Sequence, residues 1–122
     1  MVPYAILVHE AGHTVVARSL GLDGMGYEQT EEHFAALINH SPDPRVWKEI
    51  AAGGAAAEIA VFGEIVSRTA ALRGDLQELY PFRNWKEFYR TAQRWAVKID
   101  LEALREEISW ARECFEALSD SP

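Results

Sequence analysis

The sequence predicts a mainly α-helical domain with one short β hairpin and a C-terminal helical hairpin. Three observations carry that reading. Apolar residues recur at spacings of three and four through four stretches of the chain. Asp43-Pro44 and Asn84 supply helix starts, and Gly21 and Gly63 supply stops. Between Leu22 and His40 the helical stripe lapses and short strands fit instead. At 122 residues the chain can bury one real core but not two. Residues 1–122 are therefore expected to form a single domain, with a core over 1–80 that carries the chemistry and a helical pair over 81–122.

The first helix opens at Pro3, which suits a first turn, and its apolar residues Tyr4, Leu7, Val8, Ala11, Val15 and Val16 recur at helical spacing until Gly21 and Gly24 end the run. Only a narrow strip with Thr14 and Arg18 is polar, so the helix should be buried. Within it lies His9-Glu10-Ala11-Gly12-His13, an HExxH pattern. Residues i and i+4 share a helix face, so His9 and His13 can offer nitrogens to one cation. Glu10 then stands beside that cation, placed to act as general base on an activated water. The bland alternative is a pair of core histidines satisfied by hydrogen bonds. Chance produces the pattern in a chain this short only about once in a few hundred times, and two imidazoles and a carboxylate are costly to bury without a partner. The pattern thus points to a metal, Zn2+, and to hydrolysis.

Further along, Phe34–His40 reads as a short strand with Tyr27–Thr30 as hairpin partner; a helical turn over Glu31–Leu37 is the competing reading, since Ala and Glu disfavour strands. A strand edge near a metal would let an extended substrate add by backbone hydrogen bonds. Ser41-Pro42-Asp43-Pro44 then punctuates the chain, with Asp43 as N-cap of a helix from Pro44 to Phe62 that Gly63 terminates. Its small residues Ala51–Ala57 include two adjacent glycines, each weakening a helix by roughly 1 kcal/mol, so a compensating close approach to the motif helix is expected, with room for a metal cage. Glu58 can orient a ligand histidine or simply be solvated. Residues 64–74 read as a connector, and Asp75–Tyr80 as a helical turn stopped by Pro81. Asn84 caps a helix over Trp85–Lys98, and Asp100 caps a last helix whose Leu101, Leu104, Ile108, Ala111, Phe115 and Leu118 form a heptad seam. These two helices are expected to form an antiparallel hairpin on the core, although a second copy in a homo-oligomer could use the same seam. The four tryptophans read as core or interface anchors.

Composition narrows the function classes. Hydrophobic content of 48% and charged content of 25% are those of an ordinary globular domain. A net charge of -7, with basic residues scattered along the chain, argues against a nucleic-acid partner. Cys114 is the sole cysteine, so an intrachain disulfide is excluded and a reducing, cytoplasmic location is the simpler expectation. The apolar start lacks a basic leader and is interrupted by His9, Glu10 and His13, so neither signal peptide nor membrane insertion is expected.

Two stretches resemble the peptidase domain of the FtsH family of ATP-dependent zinc proteases: His9–Ala17 (HEAGHTVVA) and Gly53–Glu64 (GGAAAEIAVFGE). A third, Gly74-Asp75-Leu76, resembles the segment that supplies that family's last zinc ligand. The resemblance covers roughly residues 4–79. It implies a zincin-like helical metallopeptidase domain in which His9, His13 and Asp75 bind Zn2+ and Glu10 is the catalytic base. It also implies a metalloendopeptidase acting on peptides or unfolded proteins. The chain departs from the pattern in several places. Its middle is trimmed, a few residues separate Glu64 from Asp75 beyond the family's spacing, and Ala55 replaces an arginine. Glu78, then Glu58 and Glu64, therefore stand as alternatives to Asp75. No GxxxxGK[ST] phosphate loop occurs, so a folded substrate would need a separate ATPase partner. His33, His40 and Tyr27 are candidate oxyanion donors. Two rival readings remain: an inactive zinc-binding module that regulates another protein, and a zinc hydrolase acting on a small amide.

Overall fold

Helix α1 spans Tyr4–Ser19, and every residue from Leu7 to Ala17 is buried, as its all-round apolar surface requires. In the computed structural model, which describes residues 2–30, 34–39, 41, 43–67 and 82–119, this helix packs against every other element except the helix over Trp85–Lys98. It closes through Gly21, whose φ of +86° is left-handed, with Leu22 N–H donating to Ala17 O at 2.9 Å and Gly21 N–H to Arg18 O at 3.0 Å.

Strands β1 (Gly24–Gln29) and β2 (Phe34–Ile38) pair antiparallel, with Tyr27 opposite Ala36 and Gln29 opposite Phe34. The register shifts between Gly24 and Gly26, and Gly26 takes the positive φ that the bulge demands. The hairpin thus forms rather than a helical turn at Phe34–Leu37. Aromatic anchoring decides the matter: the rings of Tyr27 and Phe34 lie 5.3 and 5.1 Å from that of Phe115, which outweighs the weak strand preference of Ala35 and Ala36.

Helix α2 spans Pro44–Phe62. Asp43 caps it by accepting from Arg45 N–H at 2.9 Å, and Gly63 at φ +83° ends it. It meets α1 at a pair of reciprocal glycines. A Cβ on Gly12 would lie 2.4 Å from Gly53 O, and one on Gly53 would lie 2.9 Å from Gly12 O. The expected close approach is therefore made backbone to backbone.

Helix α3 (Trp85–Lys98) starts at Asn84, whose Oδ1 accepts from Glu87 N–H at 2.9 Å; α4 (Leu101–Ser119) starts at Asp100, which accepts from the N–H groups of Glu102 and Ala103. These two helices do not form the expected hairpin against each other. Helix α3 lies on α2, whereas α4 lies on α1 and β1. The reason is in the side chains each presents. Trp95 Nε1 donates to Glu49 of α2, while Phe115 enters between Tyr27 and Phe34 and Glu107 meets Arg18 and Tyr27. The seam residues Leu104, Ile108, Ala111 and Phe115 are consequently buried within the same chain. Residues 82–119 share one continuous core with the preceding part, joining Phe88, Trp95, Leu104 and Phe115 to Leu7, Val8 and Ala55. Trp95 is buried, but Trp85 and Trp110 are half exposed. No helix among the described residues is long and apolar enough to cross a membrane.

Candidate metal centre

His9, Glu10 and His13 each place a ligand-type atom within 4.8 Å of the others, and all three are buried. Among the described residues this is the sole cluster of at least three histidine, cysteine or acidic side chains with that geometry. The two rings approach edge to face, with His13 Nε2 3.1 Å from His9 Nε2. Their other nitrogens fix how the rings face. His13 Nδ1 donates to the carbonyl of Ile50 at 2.7 Å, and that oxygen can only accept. His9 Nδ1 donates to Glu58 Oε2 at 2.8 Å. When both rings are neutral, each Nε2 is therefore the unprotonated nitrogen, and the two stand 3.1 Å apart.

Two unprotonated nitrogens at this separation fit a shared cation. Two Zn–N bonds of tetrahedral opening hold their nitrogens about 3.3 Å apart, close to the 3.1 Å found here. Gly54 makes the space: a Cβ there would stand 2.5 Å from His9 Cε1, 2.6 Å from His9 Nε2 and 2.7 Å from His13 Nε2. The residues present thus fit zinc. They also fit a proton held between the rings, with Glu58 as counter-charge to His9.

Glu58, which the sequence leaves open between orienting and solvated roles, is fully buried and orienting. Beyond the His9 bond it accepts from Ser67 N–H and Ser67 Oγ–H, each at 2.7 Å, and from Val66 N–H at 3.2 Å. Burial alone would raise its carboxyl, but the bonds from His9 and Ser67 more than offset this and hold it below the usual carboxylate range. Because it addresses Nδ1 and not Nε2, Glu58 is no alternative third ligand. Glu64 is exposed just past the end of α2 and outside the cluster. Asp75 and Glu78 lie outside the described residues, as do the candidate donors His33 and His40.

Glu10 reaches toward the sheet, where its Oε1 accepts from Ala36 N–H at 3.0 Å. The motif thereby fixes β2 beside the histidine pair. Tyr27, the remaining candidate oxyanion donor, is committed elsewhere: its hydroxyl donates to Glu107 Oε1 at 2.6 Å and lies 3.2 Å from Thr14 Oγ1. Burial, then the bond to Glu107, pushes that hydroxyl far above the ordinary phenol range, so it remains protonated. Cys114, on α4, lies outside the cluster. Burial, then Glu107 and Glu113, pushes its thiol up.

The sequence could have disclosed Glu58, which follows Gly54 by one helical turn and so shares the face that meets His9. The contributions of the Ile50 carbonyl and the Ala36 amide carry no side-chain signature, and Ser67 arrives only because the chain folds back after Gly63. No family model, curated protein or solved structure matches this chain.

Proposed function

We propose that this protein is a zinc-dependent metalloendopeptidase of zincin-like, FtsH-peptidase-like design, acting on peptides or unfolded proteins. The observation that carries the reading is the convergence of His9 Nε2 and His13 Nε2 at 3.1 Å, with both Nδ1 atoms held by acceptors and Glu10 alongside. His9 and His13 would hold the metal, with Asp75 as the carboxylate that completes the set. When bound, zinc supplies Lewis acidity, polarising the scissile carbonyl and making water easier to deprotonate. Glu10 takes a proton from the water that adds to the carbonyl carbon, then delivers it to the amine as the C–N bond breaks. Glu58 holds the His9 ring in one tautomer, and the Ile50 carbonyl does the same for His13. Strand β2, tied to Glu10 through Ala36, offers an edge along which an extended chain can lie. Without a motor, only extended or unfolded segments can reach such a site, so folded substrates call for a separate ATPase.

A second reading has its own observation. The same 3.1 Å contact is also a hydrogen bond if one ring is imidazolium, and Glu58 beside His9 favours that charge. One experiment separates the two: metal analysis and cleavage of an unfolded casein-type substrate by the parent protein and by Glu10→Gln. The peptidase reading expects about one zinc per chain in both proteins and cleavage by the parent alone. A protein free of metal after gentle purification favours the protonated pair. Zinc without cleavage favours a regulatory binding module, and equal cleavage by both proteins removes Glu10 as base.

A further inference from the structure

The chain carries a net charge of -7 and only twelve lysines and arginines, which look scattered in sequence. The fold gathers half of them. Arg45, Lys48, Arg83, Lys86, Arg90 and Arg94 line one cavity of about 620 Å³ between α2 and α3. Two acids share that lining. Glu49 accepts from Arg94 at 2.7 Å and from Trp95, and Glu87 pairs with Lys48. Arg45 is paired with Asp43, its own N-cap neighbour, at 3.3 Å. Arg83, Lys86 and Arg90 are exposed; Glu87 accepts from the backbone N–H of Arg83 at 2.8 Å, but no ion pair among the described residues engages the side-chain cation of any of the three. The groove is thus a positive region on a negative molecule, with three uncommitted cations along its rim.

From this charge pattern we infer that the α2/α3 groove binds an acidic peptide segment in extended form. Three features select that partner. Lys86, Arg90 and Arg94 recur every fourth residue, so their rows stand about 6 Å apart along the helix. Same-face residues of an extended peptide recur at nearly that interval, about 6.6 Å. Glu49 and Glu87 interrupt the positive lining, which opposes a phosphate backbone of continuous charge but leaves room for separate carboxylates. Among the described residues no aromatic ring lines the groove, and the nearby Phe82 ring is taken up by Lys48, whose Nζ lies 5.4 Å from its centroid, so nucleobases find no open stacking platform among them.

The test is binding of a fluorescein-labelled peptide of about a dozen residues with Glu and Ser alternating, at low salt, followed by anisotropy. The Glu peptide binds and its Gln counterpart does not. Binding weakens as salt rises toward half molar. Arg83→Gln/Lys86→Gln/Arg90→Gln lowers affinity by roughly tenfold or more, whereas Arg105→Gln/Arg112→Gln, which removes exposed cations of α4, leaves it unchanged. The single variants Arg83→Gln and Arg90→Gln, both at exposed positions, each weaken binding and answer the question should the triple variant misfold. The inference is overturned if the parent fails to bind the Glu peptide, if the triple variant binds as tightly as the parent, or if a single-stranded oligonucleotide displaces the peptide at lower concentration.

Discussion

A methyl group at position 54 would meet three atoms of the two imidazoles at 2.5 to 2.7 Å. Gly54→Ala should therefore turn the rings apart, lowering zinc content well below one per chain and costing about 1–3 kcal/mol of stability through overpacking. Metal analysis beside a thermal melt reads both effects, and a variant that keeps its metal would confine Gly54 to a packing role. Glu58→Gln tests the orienting contact. The carboxylate receives four donors, whereas an amide has one acceptor oxygen and would turn an NH2 group toward the others. Zinc affinity, measured by chelator competition, should fall about 10- to 100-fold; an unchanged affinity would assign Glu58 to folding alone. The paired histidines were legible at this scale because their i, i+4 spacing has only one geometric meaning on a helix. The backbone groups that hold them were not, since a carbonyl at Ile50 looks like any other until tertiary packing aims it.

The elements were legible where local chemistry dictates them. Asp43, Pro44 and Gly63 delimit α2 because a cap, a fixed φ and a left-handed stop act within a few residues. The Asp43 cap yields a pH prediction. The bond from Arg45 N–H, then that from its side chain, holds the Asp43 carboxyl below its usual range. A lowered folded value means that its stabilisation is present above the unfolded value of about 3.9 and is lost as pH falls through the folded one. Asp43→Asn keeps an acceptor at the cap, so it should flatten the acid side of the thermal-stability profile while leaving the neutral melting point little changed. An identical acid slope in both proteins would count against this account. The attachment of α4 is tested by Tyr27→Phe, which removes the hydroxyl that Glu107 accepts at 2.6 Å. With Glu107 buried, the loss should be about 2 kcal/mol by urea unfolding; a change under about 0.5 kcal/mol would mean that Arg18 alone satisfies the carboxylate. Sequence did not reveal this attachment. A heptad seam fits a neighbouring helix, a second copy or a hairpin equally well, and the choice was made by Phe115 and Glu107 finding Tyr27, Phe34 and Arg18.

At the scale of the molecule, the proposed centre joins α1 to α2, both of which contribute buried residues to the hydrophobic core. Zinc bound there should stabilise the whole fold and not just one loop. At a free concentration a hundredfold above its dissociation constant, the gain of about 2.7 kcal/mol should raise the melting temperature by on the order of ten degrees. His9→Ala and His13→Ala should abolish the shift, and a shift that survives both would locate the ion elsewhere. The basic groove was illegible for a related reason: its cations come from two segments about forty residues apart in the chain, and only docking of α3 on α2 unites them. The reciprocal contact of Gly12 and Gly53 has a wider meaning for anyone hoping to graft this centre into another scaffold. Neither half is portable alone, because each backbone is the mould for the other; a transplant must carry both rods with their crossing intact, and directed evolution that enlarges one position must find its answer opposite.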